Sequence, residues 1–328
     1  MKKFINKVDD LIAESLQGLA LAHESILRVN VEPTFVHRRA HKQDRVALVS
    51  GGGSGHEPLH IGYVGVGMLD AACPGQVFTS PTPDQWMAAA HAVNAGRGVL
   101  FIVKNYAGDR LNFQMASDML DDLDHLMVVV DDDVAIEHSP HATGRRGVAG
   151  TLVVEKMVGA AAENGAELYE CKALGDRVNG ATASMGVAFT SCIVPESGVP
   201  TFEIGEQEME LGVGIHGEPG RERQALRPAA QIVELMLAPI LKDLQLARGR
   251  EVLLHVNGLG GTPLMELYLL NHLARKRLAD EGLVVARTLV GNHTTSLEMA
   301  GASLTLTALD DELKVLWDAP VNTPALRW

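Results

Sequence analysis

The chain has 328 residues, 46% hydrophobic and 21% charged, which is typical of a globular protein with enough apolar surface for about two domains. Its formal net charge is −13 and it contains no dense run of Lys and Arg, so it lacks the basic surface that nucleic-acid binding requires. The three cysteines, Cys73, Cys171 and Cys192, are scattered and form no C-x-x-C pair, which favours a reducing compartment over a disulfide framework or a zinc site.

The N-terminal segment superficially resembles a secretion signal, because two lysines precede an apolar stretch. Acidic residues interrupt that stretch at Asp9, Asp10 and Glu14, and the apolar residues instead follow helical spacing. No apolar run elsewhere is long enough to span a bilayer. We therefore expect a cytoplasmic protein that does not associate with membranes.

The first half of the chain alternates between short apolar runs and amphipathic helical patterns. The runs predict strands at 46–50, 99–105 and 126–133, and the helical patterns cover 84–95, 111–123 and 148–164. Such alternation is typical of βαβ units, in which helices cover both faces of a parallel sheet. Residues 1–182 are therefore predicted to form a three-layer α/β domain, with its ligand site beyond the carboxyl ends of the strands.

After about residue 182 the pattern changes. Strand candidates, many with alternating polarity, lie at 184–195, 201–220, 251–261, 284–291 and 302–317, and helical patterns lie at 230–246 and 263–279. Residues 183–328 are predicted to form a smaller α+β domain with a sheet rich in antiparallel pairs.

A glycine-rich stretch follows the first predicted strand and reads `SGGGSGHEPLH`. Glycines let backbone N–H groups approach a ligand closely, the N-terminus of a following helix favours oxygen ligands, and Ser54 adds a hydroxyl. The string G-x-x-x-x-G-K-[ST] of ATP-binding loops is absent, so nucleotide binding does not follow. A tight turn that packs a helix against a sheet is the alternative, and a ligand loop with His56 directed into it is the favoured interpretation.

The same stretch contains `HEPLH`, which matches the zinc-protease pattern H-E-x-x-H. That chemistry needs His56 and His60 one turn apart on a helix. Proline is comfortable at the first helical position, so Pro58 would leave His56 in the loop before the helix and out of register with His60. We therefore do not expect a metal site.

The second predicted strand ends in `KNYAGDRLNF`, which places Lys104 and Asp109 on the same rim. Asp109 has two interpretations from sequence alone. It fits a helix N-cap, the commoner role for Asp after Gly, and it equally fits a general base that takes a proton from a hydroxyl.

Two further motifs match patterns of known ligand sites, one for dinucleotides and one for Mg²⁺, without the context that those sites require. `GVGIHG` matches the dinucleotide string G-x-G-x-x-G, but the turn residues that follow replace the helix this fold requires, which leaves His216 as an accessible imidazole between glycines. The run `DDD` at 131–133 suggests a Mg²⁺ site, and a solvated strand end whose carboxylates cap the next turn is the preferred alternative.

Taken together, the motifs resemble the dihydroxyacetone kinase K-subunit family, and the resemblance extends in order along the whole chain. The strings that carry it are `SGGGSGHEP`, `CPGQVFTSPTPDQ`, `KNYAGDRLNF`, `DDDVA`, `GRRGVAGT`, `GVGIHGEPG`, `NGLGGTPLMELY` and `WDAPVNTPAL`.

The resemblance implies a function and a set of site residues. It implies that a ring nitrogen of His216 adds to the ketone of dihydroxyacetone to form a hemiaminal, and that His56 and Asp109 act on the hydroxyl that receives phosphate. The remaining residues that it implies for the substrate site are Gly53, Ser54, Gly55, Ser80 and Lys104.

The resemblance also implies partners. Family members that use ATP directly carry a further helical nucleotide domain after this region, whereas the present chain ends at Trp328 and so resembles the stand-alone subunit of the phosphotransferase-dependent type. That type implies a separate L subunit holding ADP or ATP with Mg²⁺, a phosphocarrier M subunit acting on L, a homodimer, and no cofactor or metal on this chain. The alternatives are a sugar-sensing co-activator without turnover, or a kinase for another short ketose such as erythrulose.

Overall fold

The computed structural model describes residues 2–40, 43–136, 144–218 and 220–328, and within them the chain forms two six-stranded sheets and eight α-helices. The elements of the first half are α1 (Leu11–Ala22), β1 (Leu27–Asn30), β2 (Phe35–Arg38), β3 (Arg45–Ser54), β4 (Ala71–Val77), α2 (Pro83–Val93), β5 (Gly96–Lys104), α3 (Ala107–Ser117), β6 (His125–Val130), α4 (Gly150–Glu163) and α5 (Leu168–Gly180). Those of the second half are β7 (Thr182–Ala188), β8 (Glu208–Leu211), β9 (Glu222–Ala225), α6 (Ala229–Leu244), β10 (Glu251–Gly258), α7 (Leu264–Asp280), β11 (Val284–Gly291), β12 (Gly301–Ala308) and α8 (Asp311–Asp318).

The first sheet has the order β1-β2-β4-β3-β5-β6. Three of its five pairings are parallel, β3 with β4, β3 with β5 and β5 with β6, and the two that involve β2 are antiparallel. Helices α2 and α3 pack on one face of this sheet, and α4 and α5 on the other. Every residue of β3 is consequently buried, which explains why this strand is apolar without alternation. The predicted three-layer α/β architecture is confirmed.

The second sheet has the order β11-β10-β12-β7-β8-β9. Among the described residues of this sheet, β10 and β11 are the parallel pair, and the other four strand pairs are antiparallel. Helices α6 and α7 cover one face through a core of aliphatic side chains. The opposite face contacts the first half, where α4 meets β7 and β12. The predicted antiparallel-rich sheet is confirmed.

The C-terminal segment returns to the first half of the chain. Side chains between Leu309 and Leu326 belong to the same hydrophobic core as β3 and α4, and Lys156 Nζ donates a 2.8 Å hydrogen bond to the carbonyl of Leu316. The second sheet begins with Thr182, close to the sequence-based division. Because the last residues pack across it, division of the chain into units 1–182 and 183–328 stays a prediction.

Several elements differ from the sequence-based expectation. The strand candidate 201–220 contains only the short strand β8 in its described part, and β1, β2, β4 and α5 have no predicted counterpart. Residues 302–317 were a single strand candidate, but β12 ends at Ala308 and α8 follows, because Asp310 caps the new helix by accepting a 2.8 Å hydrogen bond from the N–H of Leu313. The helix expected after the glycine stretch is also absent from this described segment, where only one 3-10 turn forms at Ile61–Tyr63. The glycines instead continue strand β3 as far as Ser54.

Two smaller observations bear on the expected location. The thiols of Cys73, Cys171 and Cys192 are free and buried. Among the residues that the structure describes, every helix is too short or too polar to cross a lipid bilayer.

Candidate active site

The glycines of β3 allow close packing rather than forming an open loop. A Cβ at Gly52 would lie 2.0 Å from Nζ of Lys104, and one at Gly53 would lie 2.6 Å from the backbone nitrogen of Thr79. Both positions therefore exclude any side chain while their neighbours keep their places. The glycine run brings neighbouring strands and the Lys104 ammonium against the backbone of β3.

Ser54 and Gly55 are already engaged within the protein. The Ser54 hydroxyl donates a 2.7 Å hydrogen bond to the carbonyl of Gly75, and the N–H of Gly55 is bound by the carboxylate of Glu57. Gly55 has a φ of +100°, which favours glycine, and a Cβ there would lie 2.9 Å from the ring of Phe78. These two residues shape the turn that leads to His56, and the Ser54 hydroxyl and the Gly55 N–H are engaged within the protein.

His56 lies fully buried at the end of this turn, with one ring nitrogen committed and the other free. Nδ1 lies 2.8 Å from the carbonyl of Thr295, which can only accept, so Nδ1 carries the proton and Nε2 keeps a lone pair. No described residue bonds Nε2. Burial and the charge of Lys104 lower the pKa of His56 to about 3, so the ring is neutral and offers an unpartnered acceptor.

His216 lies in the turn after β8, and its ring meets that of His56 edge-on with centroids 4.7 Å apart. The ring is also in edge contact with Tyr106 at 4.2 Å and Phe78 at 5.6 Å. Burial, with further contributions from His56, Lys104 and Arg146, lowers the pKa of His216 well below its usual range. The imidazole is therefore neutral and keeps the lone pair that a nucleophile needs.

Asp109 lies in the first turn of α3 and is almost fully buried. The N-cap position of this helix belongs to Tyr106, so the interpretation of Asp109 as an N-cap is wrong. Oδ2 of Asp109 lies 3.3 Å from Nζ of Lys104 in an ion pair, and no described residue gives it a well-formed hydrogen bond. A buried carboxylate with free lone pairs next to a cation suits acceptance of a proton from a bound hydroxyl.

Three further side chains complete the site, and two of them were not singled out from the sequence. Ser80, a predicted site residue, lies beside Gly108, where a Cβ would come within 2.7 Å of its Oγ. Phe78 stacks on the His56 ring at 5.0 Å, and the buried hydroxyl of Tyr106 has no hydrogen-bond partner among the described residues. Both aromatic residues lie within motifs that carry the family resemblance, yet only the folded chain shows that they enclose the two histidines.

A cavity of about 400 Å³ opens next to His216, lined in part by Tyr106, Arg146 and Glu218. Glu218 accepts a 2.9 Å hydrogen bond from the backbone N–H of His216 and a 3.0 Å bond from Arg146. The turn that carries His216 is thereby tied to the first half of the chain. The structure thus brings His56, Asp109, His216, Lys104 and Ser80 together at the rim of the first sheet.

The carboxylates of the 131–133 run are bound by protein groups. Asp132 accepts hydrogen bonds of 2.8 Å from the N–H of Val148 and 2.7 Å from that of Gly150, at the start of α4. Asp133 is bound by Arg146. The expected capping of the next turn is found at Asp133, whose Oδ1 accepts a 2.9 Å hydrogen bond from the N–H of Ala135. The expected solvated strand end is wrong, because Asp132 and Asp133 are both buried.

Within the residues that it describes, the structure does not form the helices that the zinc-protease pattern and the dinucleotide pattern would require. His56 and His60 do not share an α-helix, and the nitrogens of His60 contact Ser50, Glu155 and Lys104. The segment after `GVGIHG` continues as a turn as far as Glu218, and Pro219 lies outside the described residues.

The arrangement defines the kind of molecule that the site accepts. Two neutral imidazoles and a buried carboxylate beside an ammonium suit a small compound with an electrophilic carbon and hydroxyl groups. The fold and the site together define a class of protein that binds a small substrate between a parallel α/β half and an antiparallel-rich half.

Comparison with known proteins identifies the family. Residues 17–325 match the model of the Dak1 domain, so the chain belongs to the Dak1 family. Over its full length it is similar to stand-alone subunits. It is 50% identical to the dihydroxyacetone-binding subunit of the PTS-dependent dihydroxyacetone kinase 1 of Listeria innocua, covering 99% of this chain and 100% of the relative. It is 47% identical to the corresponding subunit of the PEP-dependent kinase of Escherichia coli, covering 100% and 99%.

Solved structures agree with this fold. The chain superposes on the dihydroxyacetone kinase of C. freundii with a TM-score of 0.87 and 33% identity, covering 99% of this chain and 60% of the other. It superposes on the dihydroxyacetone kinase operon co-activator Dha-DhaQ with a TM-score of 0.91 and 33% identity, covering 98% of both chains.

Proposed function

We propose that the chain is the dihydroxyacetone-binding, catalytic subunit of a phosphotransferase-dependent dihydroxyacetone kinase. The observation that carries the proposal is the meeting of His216, His56 and the Asp109–Lys104 ion pair in one buried site. The full-length similarity to two subunits with that name supports it.

In the proposed mechanism, His216 captures the substrate. A ring nitrogen of the neutral imidazole bonds to the carbonyl carbon, and the proton of the ring ends on the former carbonyl oxygen, which gives a hemiaminal. Glycerol has no electrophilic carbon, so this bond selects ketones from polyols where hydrogen bonds discriminate poorly. It also fixes a small, flexible molecule in one orientation, which contributes up to about 7–11 kcal/mol to catalysis of a well-aligned reaction.

Asp109 and His56 then act on the terminal hydroxyl. As its oxygen attacks phosphorus, the proton passes to Asp109. Before the attack the hydroxyl donates its hydrogen bond to Nε2 of His56, which orients the group. The pKa of His56, lowered to about 3, keeps the ring from retaining that hydrogen, which turns to Asp109 as the oxygen attacks. Lys104 holds the carboxylate, Ser80 lies beside Gly108, next to Asp109 in the chain, and the 53–55 backbone shapes the turn.

The phosphoryl donor in this proposal is nucleotide with Mg²⁺ on a separate L subunit, which an M subunit recharges, and this chain holds neither nucleotide nor metal. We further propose a homodimer in the cytoplasm. The three free, buried thiols support a reducing compartment.

A sugar-sensing co-activator is the second candidate, because the co-activator structure superposes with a TM-score of 0.91. Identity favours the kinase subunit, at 50% against 33%. A kinase for another ketose is a variant of the first proposal, since the L-erythrulose 1-kinase of Mycolicibacterium smegmatis is 39% identical over 58% of its length.

The deciding experiment mixes the purified chain with an L subunit, ATP and Mg²⁺ and measures formation of dihydroxyacetone phosphate. We expect turnover that depends on both proteins, with dihydroxyacetone preferred to erythrulose. Binding of dihydroxyacetone without phosphorylation by any L subunit would instead identify a co-activator, and preference for erythrulose would change the substrate.

Replacing Gly52 with Ala tests the close packing at Lys104. The new Cβ would lie 2.0 Å from Nζ of Lys104, so the ammonium must leave its present position, in which it contacts Asp109 at 3.3 Å. We expect kcat/KM to fall about tenfold or more, because a charge-assisted contact to the acting carboxylate is lost. Gly18→Ala in α1, where a Cβ would meet nothing within 4 Å, is the matched control and should retain full activity. Full activity in Gly52→Ala would contradict the placement of Lys104.

A further inference from the structure

A line of buried titratable side chains extends from Asp109 into the protein, away from the cavity. Nζ of Lys104 lies 3.3 Å from Oδ2 of Asp109 and 3.0 Å from Nε2 of His60. On the other side of that ring, Nδ1 of His60 lies 2.6 Å from Oε1 of Glu155, a fully buried residue of α4. The proposed mechanism uses only the first two of these four groups.

The donors and acceptors along this line follow from its chemistry. The Lys104 ammonium has three hydrogens and no lone pair, and its neighbours are Asp109, the carbonyl of Gly51 at 3.3 Å and His60. Nε2 of His60 must therefore accept, so its proton is on Nδ1 and is donated towards Glu155. The Ser50 hydroxyl, 2.9 Å from the same Nδ1, is occupied as a donor by the carbonyl of Ile102 at 2.7 Å.

Glu155 has few polar contacts besides the one with His60. Its second oxygen, Oε2, has no hydrogen-bond partner in the part of the chain that the structure describes. The titratable groups that face it are His60 and Tyr63 from the 59–63 segment and Lys104 from β5, with Ser50 as the polar neighbour from β3. Tyr63 donates its hydroxyl to the carbonyl of His293 and so is not a partner of Glu155.

We propose that Glu155 and His60 are positioning residues for phosphoryl transfer: they hold the Lys104 ammonium against Asp109 through the fixed tautomer of His60. The inference rests on the proposed function, because Asp109 is the group that acts on the substrate hydroxyl. The charge on Glu155 strengthens this hold. Burial raises the pKa of Glu155 to about 8, so the hold tightens as the carboxyl loses its proton above neutral pH.

The first measurement uses the free protein and needs no turnover. A long-range ¹H–¹⁵N spectrum of the histidine rings, with His60 assigned through His60→Gln, should show a proton on Nδ1 and none on Nε2. A proton on Nε2 of His60 would overturn the proposal, since that nitrogen could not then accept from Lys104.

The second measurement compares the wild type with Glu155→Gln, which keeps the shape and the acceptor but cannot ionise. The ratio of their kcat values should rise from about 1 at about pH 6.5 to about ten at about pH 9, as Glu155 ionises only in the wild type. The KM for dihydroxyacetone should agree within about twofold, because Glu155 touches neither His216 nor the substrate. A ratio that is independent of pH indicates a purely structural role and overturns the proposal.

Thr151 provides the matched control. It lies one turn before Glu155 on α4, is equally buried, and its hydroxyl has no hydrogen-bond partner among the described residues. Thr151→Val should leave kcat and its pH dependence unchanged. If the wild type itself shows no turnover with any L subunit, the proposed function fails. The tautomer of His60 then still tests whether His60 accepts a hydrogen bond from Lys104 and donates one to Glu155.

Discussion

Without His216 the chain should lose covalent capture of dihydroxyacetone completely. In His216→Ala no nitrogen remains at that position to add to the carbonyl, while Tyr106, Arg146 and Glu218 still line the cavity. We expect kcat/KM to fall by about 10³-fold or more, because the orientation of a small substrate by one covalent bond is lost. With dihydroxyacetone labelled with ¹³C at the ketone carbon, the wild type should convert the carbonyl signal into one from a tetrahedral carbon, and the variant should not.

His272 gives a control of the same residue type, since it is exposed on α7 and far along the chain from the site. His272→Ala should keep both the adduct and the activity. An adduct that persists in His216→Ala would place the covalent bond elsewhere and remove the basis for selection against glycerol. Substrate that binds the wild type with its ketone intact would have the same consequence.

Asp109→Asn should separate binding from chemistry. The amide matches the carboxylate in shape but cannot take the proton of the attacking hydroxyl, so kcat is expected to fall by about 10²- to 10⁴-fold. The ¹³C adduct signal should remain, because His216 and its neutral imidazole are unchanged. A phosphorylation assay with the L subunit, together with the adduct measurement, tests both halves of this expectation.

Asp118 provides the comparison for that variant. Asp118 is the exposed C-cap residue of α3, the helix that carries Asp109 in its first turn, and Asp118 itself has no role in the proposed reaction. Asp118→Asn should leave kcat within about twofold of the wild type. If Asp109→Asn turned over normally, proton removal would have to be assigned to another group, despite the low pKa of His56.

The two halves of the chain were predictable because their patterns reflect burial. Strands β5 and β6 are continuous apolar runs since helices cover both faces, and β11 was located to the residue at 284–291. Helix α8 was missed because the strand pattern of β12 runs directly into it, and the cap at Asp310 is the only local signal of the change. Helix α5 has no counterpart among the predicted elements.

The sequence predicts only part of the site, because several of its contacts join residues that are far apart in the chain. His216 and His56 are marked by flanking glycines, and Asp109 by its position after a buried strand. Thr295, which fixes the tautomer of His56, is 239 residues away along the chain, and Glu155 meets His60 across 95 residues. These contacts form because the sheets and α4 pack together in the folded chain. The spacing of residues in the sequence therefore does not indicate them.

The return of the C-terminal segment to the first core affects how the protein is made. A nascent chain that lacks residues 309–326 leaves part of the surface around α4 uncovered, although every residue of the proposed catalytic group has already been synthesised. The carbonyl that binds Lys156 also arrives only with Leu316. Because such distant contacts form late and slowly, an interrupted chain would expose apolar surface before it acquired a competent site. A chain that stops before residue 309 is therefore expected to leave part of the first core exposed and to be a target for proteolysis.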